Sequence, residues 1–340
     1  MKIIYVVDDN ETNIEAVRIA LEGHFRIYGL PMALRMFKLA EKIIPDLILL
    51  DVDMPEIDGF QAFEMIKKHD KLKNVPVVFL TARQDAESEI KGFEMGALDF
   101  IYKPFSPPVL LRRIQSHIET DKIIKDSIKS VKDIHNATIS AIAHLVDCRD
   151  KITGGHIQRT QTYLGILIEG LSKRKEFKDM ITDWDMSVLL PSAQLHDMGK
   201  ISVSDIILNK PGPLTHDEYN IMKCHCLEGE KLVDRIMSET ESNSFLIHAK
   251  RFAGTHHEKW NGTGYPRGLK GEEIPLEGRI MAVADVFDAL VSERPYKKAL
   301  THEEAVELIR KESGTHFDPR MVDVFLDVSE DIWVEFMSMS

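Results

Sequence analysis

In the second half of this chain, histidines stand beside carboxylates in a pattern suited to metal chemistry. His196 and Asp197 are adjacent in LLPSAQLHDMGK, His225 follows, then the pair His256 and His257, then Asp285 in MAVADVFDAL. A single buried histidine is usually a satisfied core residue, but adjacent His-His and His-Asp pairs are costly to bury unless they are paired or coordinate metal. Imidazole and carboxylate donors suit Zn, Mn, Fe or Ni rather than Ca, and a bridging aspartate can hold two ions roughly 3.5–4 Å apart. Such a pair makes hydroxide at neutral pH and polarises a phosphodiester. Lys200 lies four residues past His196, so on a helix the two would share a face and the ammonium could reach a phosphate.

The first half carries a different set. Asp8 and Asp9, Asp51, Thr81 and Lys103 each end a short apolar run. Three converging carboxylates make an oxygen-rich pocket suited to Mg²⁺, which keeps several waters, and a nearby lysine and hydroxyl can hold the oxygens of a phosphoryl group. A lone aspartate in such a place is more often a turn residue or helix cap; it is the combination that carries the chemistry.

The elements that must position these residues differ between the halves. IIYVV, RIYGL, DLILLD, VPVVFLT and DFIYK are nearly continuous apolar runs separated by amphipathic stretches, the pattern of buried parallel strands in a doubly wound α/β sheet, with ligands at the strands' carboxyl ends. After about residue 122 helical spacing takes over. Ile114, Ile118, Ile124, Ile128, Val131, Ile142 and Leu145 recur mostly at three or four, so the last helix of the first half is expected to run on into the second. A dimerising connector and a plain amphipathic helix both fit that spacing. The expected organisation is an α/β domain over 1–121, a helical linker over 122–139 and an all-α domain over 140–335. Lys210 to Leu214 and Asn261 to Gly271 are rich in Gly and Pro and are expected to be loops.

Composition narrows the classes. The net charge of −12 argues against direct DNA binding, and no basic recognition helix is evident. No apolar run approaches the roughly 20 residues of a membrane span, so a cytoplasmic protein with no membrane partner is expected. The only cysteines, Cys148, Cys224 and Cys226, lack paired zinc-ribbon spacing and are expected to be reduced.

In this order and spacing DD, LLDVDMPEIDG, FLTA and YKPF resemble the receiver domains of two-component response regulators over about residues 1–120, which have a flavodoxin-like fold. The resemblance implies that a cognate histidine kinase phosphorylates Asp51, that Asp8 and Asp9 hold Mg²⁺ beside it, and that Thr81, Phe100 and Lys103 relay the change. HDMGKISVSDIILNKPGPLT, HHEKWNGTGYPRGL and RIMAVADVFDALVSERPYKKA look like the HD-GYP subgroup of the HD phosphohydrolases from about residue 140 to 325. A bare HD pair would admit other nucleotide hydrolases; Gly264-Tyr265-Pro266 after HHE is far more specific. This resemblance implies metal ligation by His196, Asp197, His225, His256, His257 and Asp285, with Asp197 as the bridge. His156 matches a histidine that serves a third metal where one exists. The family often has Glu four residues before it, and here that place is Ile152, so two divalent ions (Fe, Mn, Ni or Zn) are expected. Lys200, Tyr265, Arg294 and Lys297 are the implied substrate contacts, and the implied reaction opens cyclic di-GMP to pGpG and then possible GMP. Two alternatives stay open: a cyclic-dinucleotide sensor or interaction platform without turnover, and a phosphodiesterase for another dinucleotide such as cyclic GMP-AMP or pGpG itself. A homodimer also stays open.

Overall fold

The computed structural model describes residues 1–82, 85–149, 155–240, 243–293 and 298–339, and the chain divides into two compact units, Met1–Val131 and Lys132–Ser340. In the first unit β1 (Ile3–Val7), β2 (Arg26–Leu30), β3 (Leu47–Asp51), β4 (Val77–Thr81) and β5 (Asp99–Tyr102) form one parallel sheet in the order β2-β1-β3-β4-β5. Helices α1 (Glu11–Leu21), α2 (Ala33–Ala40), α3 (Gly59–Lys68) and α4 (Ala86–Glu94) connect the strands, and α5 (Pro107–Asp147) follows β5. β3 and β4 are buried along their whole length because helices cover both faces, which is why they read as unbroken apolar runs. Ile48, Leu50 and Phe79 point into one core, and Leu47, Leu49 and Leu80 into the other.

The order of strands reverses between β1 and β3, and a crevice opens there at the carboxyl ends. Local chemistry starts the flanking helices. The Asn10 side chain accepts from Thr12 N at the start of α1, and Asp58 and Gln61 form a reciprocal capping box at the start of α3. Gly59 follows that cap because a Cβ there would lie 2.2 Å from the Asp51 carbonyl oxygen. A glycine lets α3 approach the end of β3.

The second unit is helical: α6 (His156–Ser172), α7 (Lys175–Ile181), α8 (Met186–Ala193), α9 (Asp205–Leu208), α10 (His216–Glu239), α11 (Ser244–Thr255), α12 (Leu276–Val291), α13 (His302–Lys311) and α14 (Pro319–Met339). Among its described residues the only β pairing is in isolated bridges, Asn261 to Lys270 and Ser313 to Phe317. α12 is apolar nearly all round and runs through the core, packed with Tyr163, Leu167, Phe252, Phe317 and Phe325. Arg279 of α12 donates to Asp318 at 2.9 Å, a buried ion pair at the start of α14.

The long helix expected from the apolar spacing is α5. Ile124, Ile128, Val131, Ile142 and Leu145 of that stripe are exposed; the residues that pack within the second unit are Ile139, Ala143 and Val146. Lys200 requires a correction. The chain does not continue α8 as an α-helix but passes into turns with hydrogen bonds from residue i to i−3, ending in the 3-10 helix Met198–Ser202. Three residues per turn put Lys200 over Asp197 rather than over His196. The tight turn also needs Gly199, whose Cβ would lie 1.9 Å from the His225 carbonyl oxygen. No helix among the described residues is long and apolar enough to cross a membrane. Ile152, Arg294 and Lys297 lie outside the described residues.

Candidate active site and phosphoacceptor pocket

In the first unit Asp8, Asp9 and Asp51 bring carboxylate oxygens within 4.8 Å of one another at the carboxyl ends of β1 and β3. Lys103, just past β5, donates to Asp8 at 2.6 Å and lies 2.9 Å from Asp51. Asp8 also accepts from Asn10 N and Asn13 Nδ2, which fixes its rotamer. Asp8, Asp51 and Thr81 are buried, whereas Asp9 is exposed. Burial pushes the Asp51 carboxyl up from its ordinary value; Lys103 opposes that and the neighbouring Asp8 adds to it. An all-oxygen donor set with more carboxylates than cations fits a hard divalent ion. Phe100 is buried against Phe79 and Phe93, with ring centroids 5.0 and 5.2 Å away.

In the second unit the donors fall into two groups. Asp197, His225, His256 and His257 form one, and His156, His196 and Asp285 the other. His156, implied only for a third ion, thus stands with His196 and Asp285, its Nε2 3.4 Å from each of them. Asp197 lies between the groups: Oδ1 is 3.4 Å from His225 Nε2 and 3.7 Å from His256 Nε2, and Oδ2 is 3.5 Å from His196 Nε2. Lys200 Nζ sits 2.7 Å from the same Oδ2.

The residues fit metal ions on two observations. Asp197 Oδ1 is buried and has no hydrogen-bond partner, a costly condition for a carboxylate that no ion will meet. The imidazoles also share one orientation. Nδ1 of His196, His225 and His256 faces the carbonyl of Ala193 at 2.9 Å, Met222 at 2.7 Å and Phe252 at 2.9 Å. Donation there holds the Nδ1 proton and leaves each Nε2 lone pair facing inward. Burial pushes His225 down to about 4 and His257 well below its ordinary value, so both are neutral donors at pH 7. Burial alone would raise Asp197, but Lys200 and His196 outweigh it and hold the carboxylate well below the usual range.

A supporting shell surrounds these donors, and sequence reasoning missed it. Asp288 lies 2.8 Å from His156 Nδ1 and is itself gripped by Arg159, at 2.6 and 2.9 Å. Its spacing of three from Asp285 on one helix was the available signal. Glu258, buried directly after His257, accepts from Arg267 N at 2.7 Å and Leu269 N at 3.0 Å and so anchors the Gly264-Tyr265-Pro266 loop. Tyr265 N donates to the His257 carbonyl, and its ring lies 4.8 Å from the His257 ring. Burial raises the Tyr265 phenol strongly, so it remains a neutral donor.

An oxygen-lined aspartate pocket on a doubly wound sheet, joined to a helical unit with paired His and Asp donors, defines a response regulator with a metal-dependent hydrolase output. Comparison with known proteins agrees. Residues 4–115 match the response regulator receiver domain and residues 155–321 the HD domain. A probable cyclic di-GMP phosphodiesterase of Vibrio cholerae is 38% identical, over 95% of this chain and 77% of that protein. The cyclic di-GMP phosphodiesterase response regulator RpfG of Xanthomonas campestris is 33% identical, over 95% of this chain and 86% of its own length. A 3′3′-cGAMP-specific phosphodiesterase of Vibrio cholerae is 37% identical over 58% of this chain and 35% of that protein. The chain belongs to the family of these first two relatives and carries a receiver domain followed by an HD domain.

Proposed function

We propose that the chain hydrolyses cyclic di-GMP to pGpG under control of phosphorylation at Asp51. The observation that carries this reading is the convergence of inward-facing Nε2 atoms on Asp197, whose Oδ1 has no hydrogen-bond partner. Two divalent ions of the Fe, Mn, Ni or Zn kind, held by the two donor groups with Asp197 shared between them, would polarise the phosphodiester and activate water. Lys200, already held against Asp197, places a positive charge where the phosphate oxygens gain negative charge. Asp288 and Arg159 keep His156 in one tautomer, so that its Nε2 stays a donor. Tyr265 offers a ring face to a guanine and a phenol proton to a phosphate or sugar oxygen. Water adds across one P–O bond, its hydroxyl to phosphorus and its proton to the departing 3′ oxygen.

In the receiver, Asp8, Asp9 and Asp51 are the proposed Mg²⁺ ligands, Asp51 accepts the phosphoryl group from a histidine kinase, and Lys103 and Thr81 hold its oxygens. The relatives named for 3′3′-cGAMP favour one second reading, a mixed cyclic dinucleotide in the same pocket.

Incubating metal-loaded protein with cyclic di-GMP, and in competition with 3′3′-cGAMP, tests both. Metal-dependent release of pGpG, absent in Asp197→Ala, is the expected result. Intact cyclic di-GMP with Mn²⁺, Fe²⁺ and Ni²⁺ alike would overturn the first reading, and selective consumption of 3′3′-cGAMP would replace it with the second.

A further inference from the structure

The short stretch from Gln194 to Asp205 carries His196, Asp197 and Lys200, and the end of α5 touches it on both sides of those residues. Within it, Leu195 and Met198 share an apolar cluster with Ile139 and Ala143 of α5. Ala143, Val146 and Asp147 of α5 also line one small hollow together with Asp197 and Lys200. Its far end meets Arg149, at the residue where the last turn of α5 has ended. Arg149 Nη1 donates to the Ile201 carbonyl at 2.9 Å and Nη2 to the Val203 carbonyl at 3.0 Å. Nη2 and Nε reach Asp205 Oδ1 at 2.7 and 3.2 Å, and the Arg149 carbonyl accepts from Asn209 Nδ2 at 2.9 Å.

A planar guanidinium with donors on several edges can satisfy two carbonyls and a carboxylate together; an ammonium cannot do so in one geometry. The bond to Ile201 falls next to Lys200, so a shift of Arg149 moves the backbone that sets the Lys200 ammonium against Asp197. The same α5 is the covalent continuation of the receiver.

We propose that Arg149 is a positioning residue that fastens the end of α5 to the Asp197–Lys200 segment and that this clasp carries the receiver's control to the hydrolase centre. The proposal rests on the reading that Asp51 phosphorylation sets the turnover of cyclic di-GMP. Among the described residues Arg149 bonds to no candidate metal donor, so it acts on turnover through the placement of Lys200 and not through metal uptake.

The test compares full-length wild type, Arg149→Ala, Arg149→Lys and Asp205→Ala, metal-loaded, with and without acetyl phosphate and Mg²⁺. Metal content, kcat, KM and the ratio of turnover with to without phosphodonor are read for each. Arg149→Ala is expected to keep its metal and to hold KM within about twofold. Its kcat should fall about ten- to hundredfold, the scale of a displaced catalytic group, and its phosphodonor ratio should fall to one. Arg149→Lys, which keeps the charge without the fork, should recover only part of kcat. Asp205→Ala removes one anchor of the clasp and gives the same pattern, more weakly, even if Arg149→Ala fails to fold. A phosphodonor ratio equal to wild type in Arg149→Ala or Asp205→Ala would overturn the proposal and leave the clasp a structural brace. A wild-type ratio of one with active hydrolysis would instead sink the reading of phosphorylation control, and with it the proposal. Absence of hydrolysis in wild type would sink the phosphodiesterase reading.

Discussion

In the receiver, three carboxylates at the ends of parallel strands face one lysine; in the helical unit, two carboxylates face five imidazoles and one lysine. Among carboxylates and lysines alone, acids outnumber bases by two in the first pocket and by one in the second. On the proposed reading the receiver would attract a cation mainly through excess charge, and the hydrolase centre mainly through lone pairs aimed by backbone carbonyls. Charge excess suits an ion that keeps its waters and exchanges readily, and it leaves room for a phosphoryl group to complete the shell. Aimed nitrogens suit transition ions that stay bound through many turnovers. On that reading a pocket suited to switching stands beside a centre suited to lasting occupancy.

The largest effect that could break this contrast is metal removal. Dialysis against metal-free buffer is expected to strip Mg²⁺ from the receiver while hydrolysis persists. A strong chelator should then cost the hydrolase about 10²–10³-fold in kcat/KM, because a bound ion supplies several kcal/mol and each 1.4 kcal/mol is tenfold. Elemental analysis after each step checks the assignment. If simple dialysis removed activity and transition metal together, the two sites would not differ in kind.

A narrower test concerns the aimed nitrogens. Asp288→Asn keeps the size of the side chain but removes the carboxylate that holds His156 Nδ1 and accepts from Arg159. Such outer partners typically account for about 10–100-fold in metal affinity or activity, and that loss is expected here, accompanied by release of one group's ion in a competition titration with a chromogenic chelator. No change in affinity would show that the imidazoles need no orientation from Asp288.

The same contrast explains what could be read from residues alone. IIYVV, DLILLD and the other runs announced buried strands because covered strands are apolar on both faces, and the carboxyl end of each run located Asp8, Asp51, Thr81 and Lys103 without further geometry. The helical centre was legible only in its motif residues. Lys200 was expected over His196 because four residues make an α-helical turn, but the close crossing at Gly199 imposes a three-residue turn and puts Lys200 over Asp197. His156 could not be joined to His196 and Asp285 from spacing, since it is the packing of α6 beside both α12 and α8 that unites them. Asp288 carried one signal, its spacing of three from Asp285, whereas Arg149 acts through bonds to residues more than fifty positions away that no local pattern marks.

The smallest effect lies in the charge excess itself. The Asp51 carboxyl is raised from its ordinary value by burial and by Asp8, against the pull of Lys103. A raised folded pKa means that the folded state holds the proton more readily than the unfolded chain does. The contribution is therefore fully favourable below the ordinary carboxylate value and is lost as pH rises through the raised one. Without Mg²⁺, Asp51→Asn should stabilise the receiver relative to wild type at pH 7, by about 1 kcal/mol or less, with the gain shrinking as pH falls through that window. Mg²⁺ should narrow the gap at pH 7 by favouring the ionised wild-type carboxylate. All the tryptophans, Trp184, Trp260 and Trp333, lie in the helical unit. Circular dichroism of the full chain follows the receiver as well, and tryptophan emission marks the other unit's transition separately. Equal pH dependence in wild type and Asp51→Asn would mean that Lys103 already balances the pocket, and that its affinity for a cation does not come from crowded carboxylates.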